Sequence, residues 1–300
     1  KDRSPFGGKN SSFAIKPDQE ITGIEFTEGS GTLRLEQKGD EWFVNDRFET
    51  RKTSILFILR ILKEIRIKSP VAPELFKTEV ADKNVIPVRV KVFERRKTIR
   101  SFLVYKTGSN IYGNIMKMKP GSKPFIVYVP GSDIEIGSAF NTNELFWQPY
   151  TVFSLLPSEI AGVTLENMTD TSSSFSIFNS GGKISLSDPS GGLSGWDTSR
   201  AERYLSYFTH VPFETWATDL NADERMKIIN SGPLYRITLT KTDGAETVLL
   251  LWERQTGENG TIRTDTDRLW AKTNAHDDIF IIRYMDIDPI LKKRSYFFPG

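Results

Sequence analysis

The chain contains no cysteine. That excludes disulfides, thiolate nucleophiles and Cys-ligated zinc, and it leaves the redox compartment open. Histidine is nearly as scarce: His210 and His276 are the only two in 300 residues, so imidazole-based catalysis has little to draw on. No run of about 18 apolar residues occurs, so the sequence carries no signal for a membrane-spanning helix. A dominant charge sign is missing as well. The 40 Lys+Arg and 38 Asp+Glu leave a net charge of +2, which gives no reason to expect nucleic acid or an anionic membrane as partner.

Familiar motifs are absent too. Gly181-Gly182 and the run Gly191-Gly192-Leu193-Ser194-Gly195 contain neither G-K-[ST] nor G-x-G-x-x-G and read as turns and loops. No G-x-S-x-G elbow supports a serine nucleophile. Asp265 and Asp267 in TDTDR, and Asp286 and Asp288 in MDIDP, alternate as calcium ligands can, but the glycine and distal glutamate of an EF-hand loop are missing. The first pair reads as part of a strand, and Asp286 or Asp288 as an N-cap before Pro289. No catalytic residue, metal ligand or cofactor is implied.

What is present is a pattern that recurs. Ile21, Ile24 and Phe26 open a strand, Leu33 and Leu35 alternate in a second, and Trp42 and Val44 in a third. Gly39-Asp40 separates the last two with the spacing of a two-residue hairpin. Ile55, Ile58, Leu59, Leu62 and Ile65 then fall on one helical face, with Thr53 or Ser54 as expected cap. The second half repeats this order. Ile160, Val163 and Leu165, then Phe175 and Ile177, then Ile184 and Leu186 stand for the three strands, with Gly181-Gly182 at the hairpin. Ala201, Tyr204, Leu205, Phe208 and Val211 form the helical face, capped by Asp197 or Thr198.

The match continues. Val88, Val90 and Val92 correspond to Tyr235, Ile237 and Leu239, and Phe102 and Val104 to Leu249 and Leu251. Ile115 corresponds to Leu269, and Phe125, Val127 and Val129 to Phe280, Ile282 and Tyr284. The segment Pro149–Phe153 resembles Arg294–Phe298 and closes each copy. The separation between matched residues widens in small steps and drops only at the last block, which places extra residues in the first copy between about Gly131 and Trp147. A weaker helix fits Pro73 to Asp82 in one copy and Asn221 to Asn230 in the other.

The expectation is therefore an α+β fold: two tandem copies of an antiparallel-sheet-plus-helix unit, β-β-β-α-β-β-β-β, with strands grouped around a helix rather than alternating with helices. Residues 1–18 read as a polar linker, 19–156 as the first repeat and 157–300 as the second. Lys1 to Ser12 is rich in Gly and Ser and is expected to be the tether left when a signal or anchor segment is removed, an ordinary frayed terminus being the alternative. Residues 1–157 hold 25 Lys+Arg against 18 Asp+Glu, and the remainder 15 against 20, so the halves carry +7 and −5. Such opposite charge can reflect attraction between halves, an acidic partner, or drift of solvated surfaces.

The run Phe13-Ala14-Ile15, then Ile21-Thr22-Gly23-Ile24, LRLEQKGDEWFVND (Leu33 to Asp46), the helix running to Ile67-Lys68-Ser69-Pro70-Val71, PFIVYVPG (Pro124 to Gly131) and the stretch around Trp147 resemble the bacterial domain-of-unknown-function family 4340. The resemblance covers most of the chain and is most specific in the first half. It implies a periplasmic protein tethered by an N-terminal segment, some relatives being linked to transporter-like gliding-motility components. It implies no substrate and no functional residues.

The expected function is a non-catalytic, extracytoplasmic interaction module of a membrane-tethered accessory protein, with a cell-envelope protein as partner. The alternative is a glycan- or small-ligand-binding protein with its site between the repeats. Trp196, in a Gly/Ser-rich loop before a helix start, is the one candidate ligand-binding residue; it can also fold back onto the helix as a staple. The basic runs Arg95-Arg96-Lys97 and Lys292-Lys293-Arg294 read as a hairpin tip and a helix follower.

Overall fold

The computed structural model describes residues 12–133, 135–258 and 261–299. Strand exceeds helix, about 40% against 24%, so antiparallel sheet sets the architecture of this α+β protein. The chain divides into two compact units, Lys1–Pro149 and Tyr150–Gly300.

In the first unit, β1 (Gly23–Glu28), β2 (Gly31–Lys38), β3 (Glu41–Val44) and β4 (Phe48–Glu49) form a meander. Helix α1 (Lys52–Glu64) comes next, then β5 (Arg66–Pro70), α2 (Pro73–Phe76) with a π-helical turn (Lys77–Ala81), β6 (Val88–Glu94), β7 (Lys97–Lys106), β8 (Asn114–Lys117), β9 (Phe125–Tyr128) and α3 (Glu144–Trp147). The nine strands make one sheet in the order β4-β3-β2-β1-β6-β7-β8-β9-β5. Gly39 takes φ +62° in the turn where Lys38 faces Glu41, a conformation that costs glycine little. The alternation of β1, β2 and β6 sends Ile24, Phe26, Leu35, Val88 and Val90 to one side, where Ile58, Ile61 and Leu62 of α1 cover them. The opposite face carries a smaller cluster of Leu103, Tyr105 and Ile115, closed by Val80 and Phe76 from the π turn and α2.

In the second unit, β10 (Thr151–Phe153) precedes β11 (Ile160–Asn167), β12 (Phe175–Ser180), β13 (Lys183–Asp188), β14 (Gly191–Gly192), α4 (Thr198–Ser206), β15 (Val211–Pro212), β16 (Thr215–Trp216), α5 (Ala222–Asn230), β17 (Tyr235–Lys241), β18 (Glu246–Glu258), β19 (Thr261–Thr273), β20 (Phe280–Arg283) and α6 (Tyr284–Ile287). Its main sheet runs β14-β13-β12-β11-β17-β18-β19-β20-β16. With the nine strands of each main sheet numbered in chain order, β10 and β15 standing apart, both sheets have the order 4-3-2-1-6-7-8-9-5. In both, a strand that follows the principal helix joins the far edge beside the last strand of the sheet: β5 after α1 in the first, and β16 after α4 in the second, where β15 comes between and pairs with β10 instead.

Several expectations need correction. Residues 1–11 of the expected linker lie outside the described residues, but Phe13 and Ile15 are core: both are buried, and the Ile15 N–H donates to the Leu62 carbonyl at 2.8 Å. Neither Thr53 nor Ser54 caps α1. The helix starts at Lys52, and the N–H of its N-cap, Arg51, donates to the Trp147 carbonyl at 2.6 Å. The chain after α1 is strand β5, not helix, from Arg66 to Pro70. Gly191-Gly192 pairs with Ser187 and Asp188 as a short strand. The segment Pro149–Phe153 does not close the first unit. Thr151–Phe153 pairs with β15 of the second, and Phe146-Trp147 holds the position that Tyr296-Phe297 holds there. Asp197 does cap α4, accepting from the amides of Ser199 at 2.8 Å and Arg200 at 3.4 Å.

Candidate functional site

The acids that alternate in the sequence are drawn into ion pairs. Asp265 is buried in the β18–β19 hairpin, pairs with Arg254, and accepts the amides of Asp267 at 2.9 Å and Arg268 at 3.1 Å. Burial alone pushes its carboxyl up, but those amides and the Arg254 guanidinium together hold it below the ordinary aspartate value. Asp286 accepts from Arg283 Nε at 2.7 Å, and Asp288 lies 3.5 Å from Lys292 Nζ. Neither acid caps the turn before Pro289, because both face basic side chains instead. Glu214 takes two bonds from Arg268, at 2.6 and 3.1 Å, and the hydrogen bond to that guanidinium holds its pKa down.

The histidines stand on separate elements. His210 is exposed after a 3₁₀ turn, and His276 packs edge-on against Trp216 with ring centroids 5.2 Å apart. Among the described residues no group of three or more His, Cys, Asp or Glu is placed to hold a metal ion.

Trp196 is half-buried, and its Nε1 donates to the Leu193 carbonyl at 3.1 Å, tying the loop before α4 to itself. A neighbouring cleft of about 500 Å³ is lined by Leu193 and by Asp170, Ser172, Asp188 and Arg294, not by Trp196. Its carboxylates are engaged. Asp188 pairs with Arg294, and the hydroxyl and amide of Ser190 hold its pKa down; Asp170 accepts from the Ser172 hydroxyl at 2.6 Å. Arg95 sits at the β6–β7 turn, where Glu94 faces Lys97, as the hairpin reading requires.

Two features have no sequence signal. The first is a ribbon. Beyond a register shift at Glu253, Gln255–Glu258 of β18 pair only with Thr261–Thr264 of β19, since β17 reaches no further than Leu251 and β20 no further than Arg268. Ile262 on this ribbon is 72% exposed. The 13-residue length of each strand is the nearest thing to a hint, but the arginine and acids there read equally as loop. The second is a cleft of about 660 Å³ between α5 and the sheet, lined by Leu234, Glu253, Gln255 and Trp270 among others. Comparison with known proteins adds no identity: no protein-family model matches the chain, and no curated protein matches it significantly.

Proposed function

We propose that this protein is a non-catalytic interaction module of the bacterial cell envelope, and that the β18–β19 ribbon is its contact element. The observation that carries the reading is the ribbon itself. Two strands with no third neighbour and no packed face are marginal in water, and their open edges are templates for another chain's strand. A partner that adds a strand there supplies the missing hydrogen bonds. The engagement of Asp265, Asp286 and Glu214 with arginines gives those acids a structural role, which agrees with a scaffold better than with general acid–base work.

The two units are further proposed to be tandem copies of one ancestral unit. Their support is the shared sheet order and a shared closure: Arg51 bonds the Trp147 carbonyl and Asp197 the Phe297 carbonyl, each from the N-cap of the main helix. The extracytoplasmic address, the N-terminal tether and membership of family 4340 rest on the resemblance of the strand, hairpin and helix runs between Phe13 and Val71.

The test places a photo-crosslinking residue at Ile262 in cells of the source bacterium, with a second at exposed Leu56 of α1 as control. The expected result is a discrete envelope-protein adduct from position 262, absent from position 56 and abolished by Arg263→Pro, which removes a ribbon amide. No adduct, or the same adduct from both positions, overturns the reading.

A further inference from the structure

The two units cover the outer faces of their sheets differently. In the first, Phe76 and Val80 close over Leu103, Tyr105 and Ile115 with apolar contact. In the second, α5 has no buried residue at all. Its N-terminus is closed by the reciprocal Asn221–Glu224 capping box, and Arg225 ties it to the rest of the unit, Nη1 donating to Asp278 at 2.8 Å. Between helix and sheet the cleft of about 660 Å³ stays open. That falls within the roughly 300–1,000 Å³ of small-molecule sites.

We propose that this cleft binds a small neutral saccharide, with Trp270 as its stacking platform. Trp270 is held in place before any ligand arrives. The Arg254 guanidinium lies 5.0 Å from its ring centroid, and Arg254 is in turn fixed by Asp265, itself anchored by the amides of Asp267 and Arg268. A preorganised aromatic ring presents apolar area at low entropic cost, which suits the C–H face of a sugar. Around it stand Lys227, Glu253 and Gln255, none of which makes a side-chain hydrogen bond or ion pair among the described residues. An ammonium donates, a carboxylate accepts and a carboxamide does both, which is the mixture that hydroxyl groups need. Glu224 also lines the cleft but is taken up by its capping box, so the unengaged charges are one cation and one carboxylate, a pair that offers hydrogen bonds to hydroxyls rather than a seat for an ion. Ile228 and Leu234 supply the remaining apolar wall. The site lies wholly within the second unit and shares only Gln255 with the base of the ribbon; Trp270, Glu253 and Lys227 lie outside it.

The experiment titrates the whole chain with maltose, cellobiose and chitobiose, read by isothermal calorimetry and saturation-transfer NMR. At least one sugar is expected to bind saturably, with ring protons receiving saturation. Trp270→Ala is expected to weaken it by about tenfold or more and Trp270→Phe by less. Gln255→Ala and Lys227→Ala change exposed or half-exposed side chains, so each should lower affinity while leaving the melting temperature unchanged. Ile262→Asp, which tests the ribbon, should leave sugar binding intact. The proposal is overturned if none of the three sugars binds, or if binding survives unchanged in both Trp270→Ala and Gln255→Ala.

Discussion

The N–H of Arg51 donates to the carbonyl of Trp147 at 2.6 Å, joining the N-cap of the main helix to the last buried aromatic of its unit. The Arg51 guanidinium adds a bond to the Phe146 carbonyl at 3.3 Å. Asp197 and Phe297 repeat the backbone contact at 2.7 Å, and Arg200 donates to the carbonyls of Tyr296 and Phe298. A helix N-terminus has free N–H groups, and these carbonyls satisfy one of them from a distant part of the chain.

Trp147 should therefore be a keystone of the first unit. It is fully buried, stacks on Phe26 at 5.6 Å, and donates from Nε1 to Asn141 O at 2.9 Å. Trp147→Ala is expected to cost about 3–5 kcal/mol, and Trp147→Phe less. Urea unfolding monitored by circular dichroism measures both; a loss below about 1 kcal/mol for the alanine variant contradicts the assignment.

Gly137 admits no side chain. A Cβ there would stand 2.1 Å from the Gly113 carbonyl oxygen, which is backbone and cannot swing aside. Gly137→Ala is expected to destabilise by about 1–3 kcal/mol or more. Gly121→Ala, where a Cβ meets nothing within 4 Å, should be neutral or slightly stabilising. Thermal melts of the pair provide the comparison.

Acid should weaken the second unit through Glu214 and Asp188. Both carboxyls titrate below their ordinary values, Glu214 chiefly through its hydrogen bond from Arg268 and Asp188 chiefly through Ser190. A depressed folded-state pKa contributes stability above the unfolded value, about 3.9 for Asp and 4.3 for Glu, and that contribution is lost as pH falls through the folded value. The melting temperature should thus fall below about pH 4. Glu214→Gln should start lower at neutral pH and converge on the wild type in acid; parallel curves would rule out this linkage.

The ribbon should open locally. Amides of Gln255–Glu258 that pair only with β19 are expected to exchange with solvent far faster than those of Leu249–Leu251, which lie between two strands. Hydrogen exchange read by mass spectrometry separates the two segments. Equal protection would show that the ribbon is stable by itself and would remove the argument that it awaits a partner.

Much of the fold is legible in the sequence. Alternation in β1, β2 and β6, the two-residue turns at Gly39-Asp40 and Gly181-Gly182, the face of α1 and the Asp197 cap all rest on neighbours within a few residues. The start of α1 is not legible, because Arg51 is satisfied by Trp147 from the far end of the unit and no local residue announces that. Trp196 stands out for its glycine-rich setting, yet its indole bonds within its own loop. Trp270 does not stand out, since on a strand it reads as one more core aromatic.

The sequence by itself determined the alternation of β1, β2 and β6, the hairpin turns and the buried face of α1, because hydrophobic period and turn chemistry act at short range. Only the tertiary structure decided that β5 and β16 cross to the far edges of their sheets, that β18 and β19 outrun their neighbours, and that α5 stands off the sheet while α2 and its π turn close on theirs. Those outcomes depend on which distant surfaces meet and how well they fill space, and the apolar pattern of a single segment is the same whether its partner arrives or leaves a cleft.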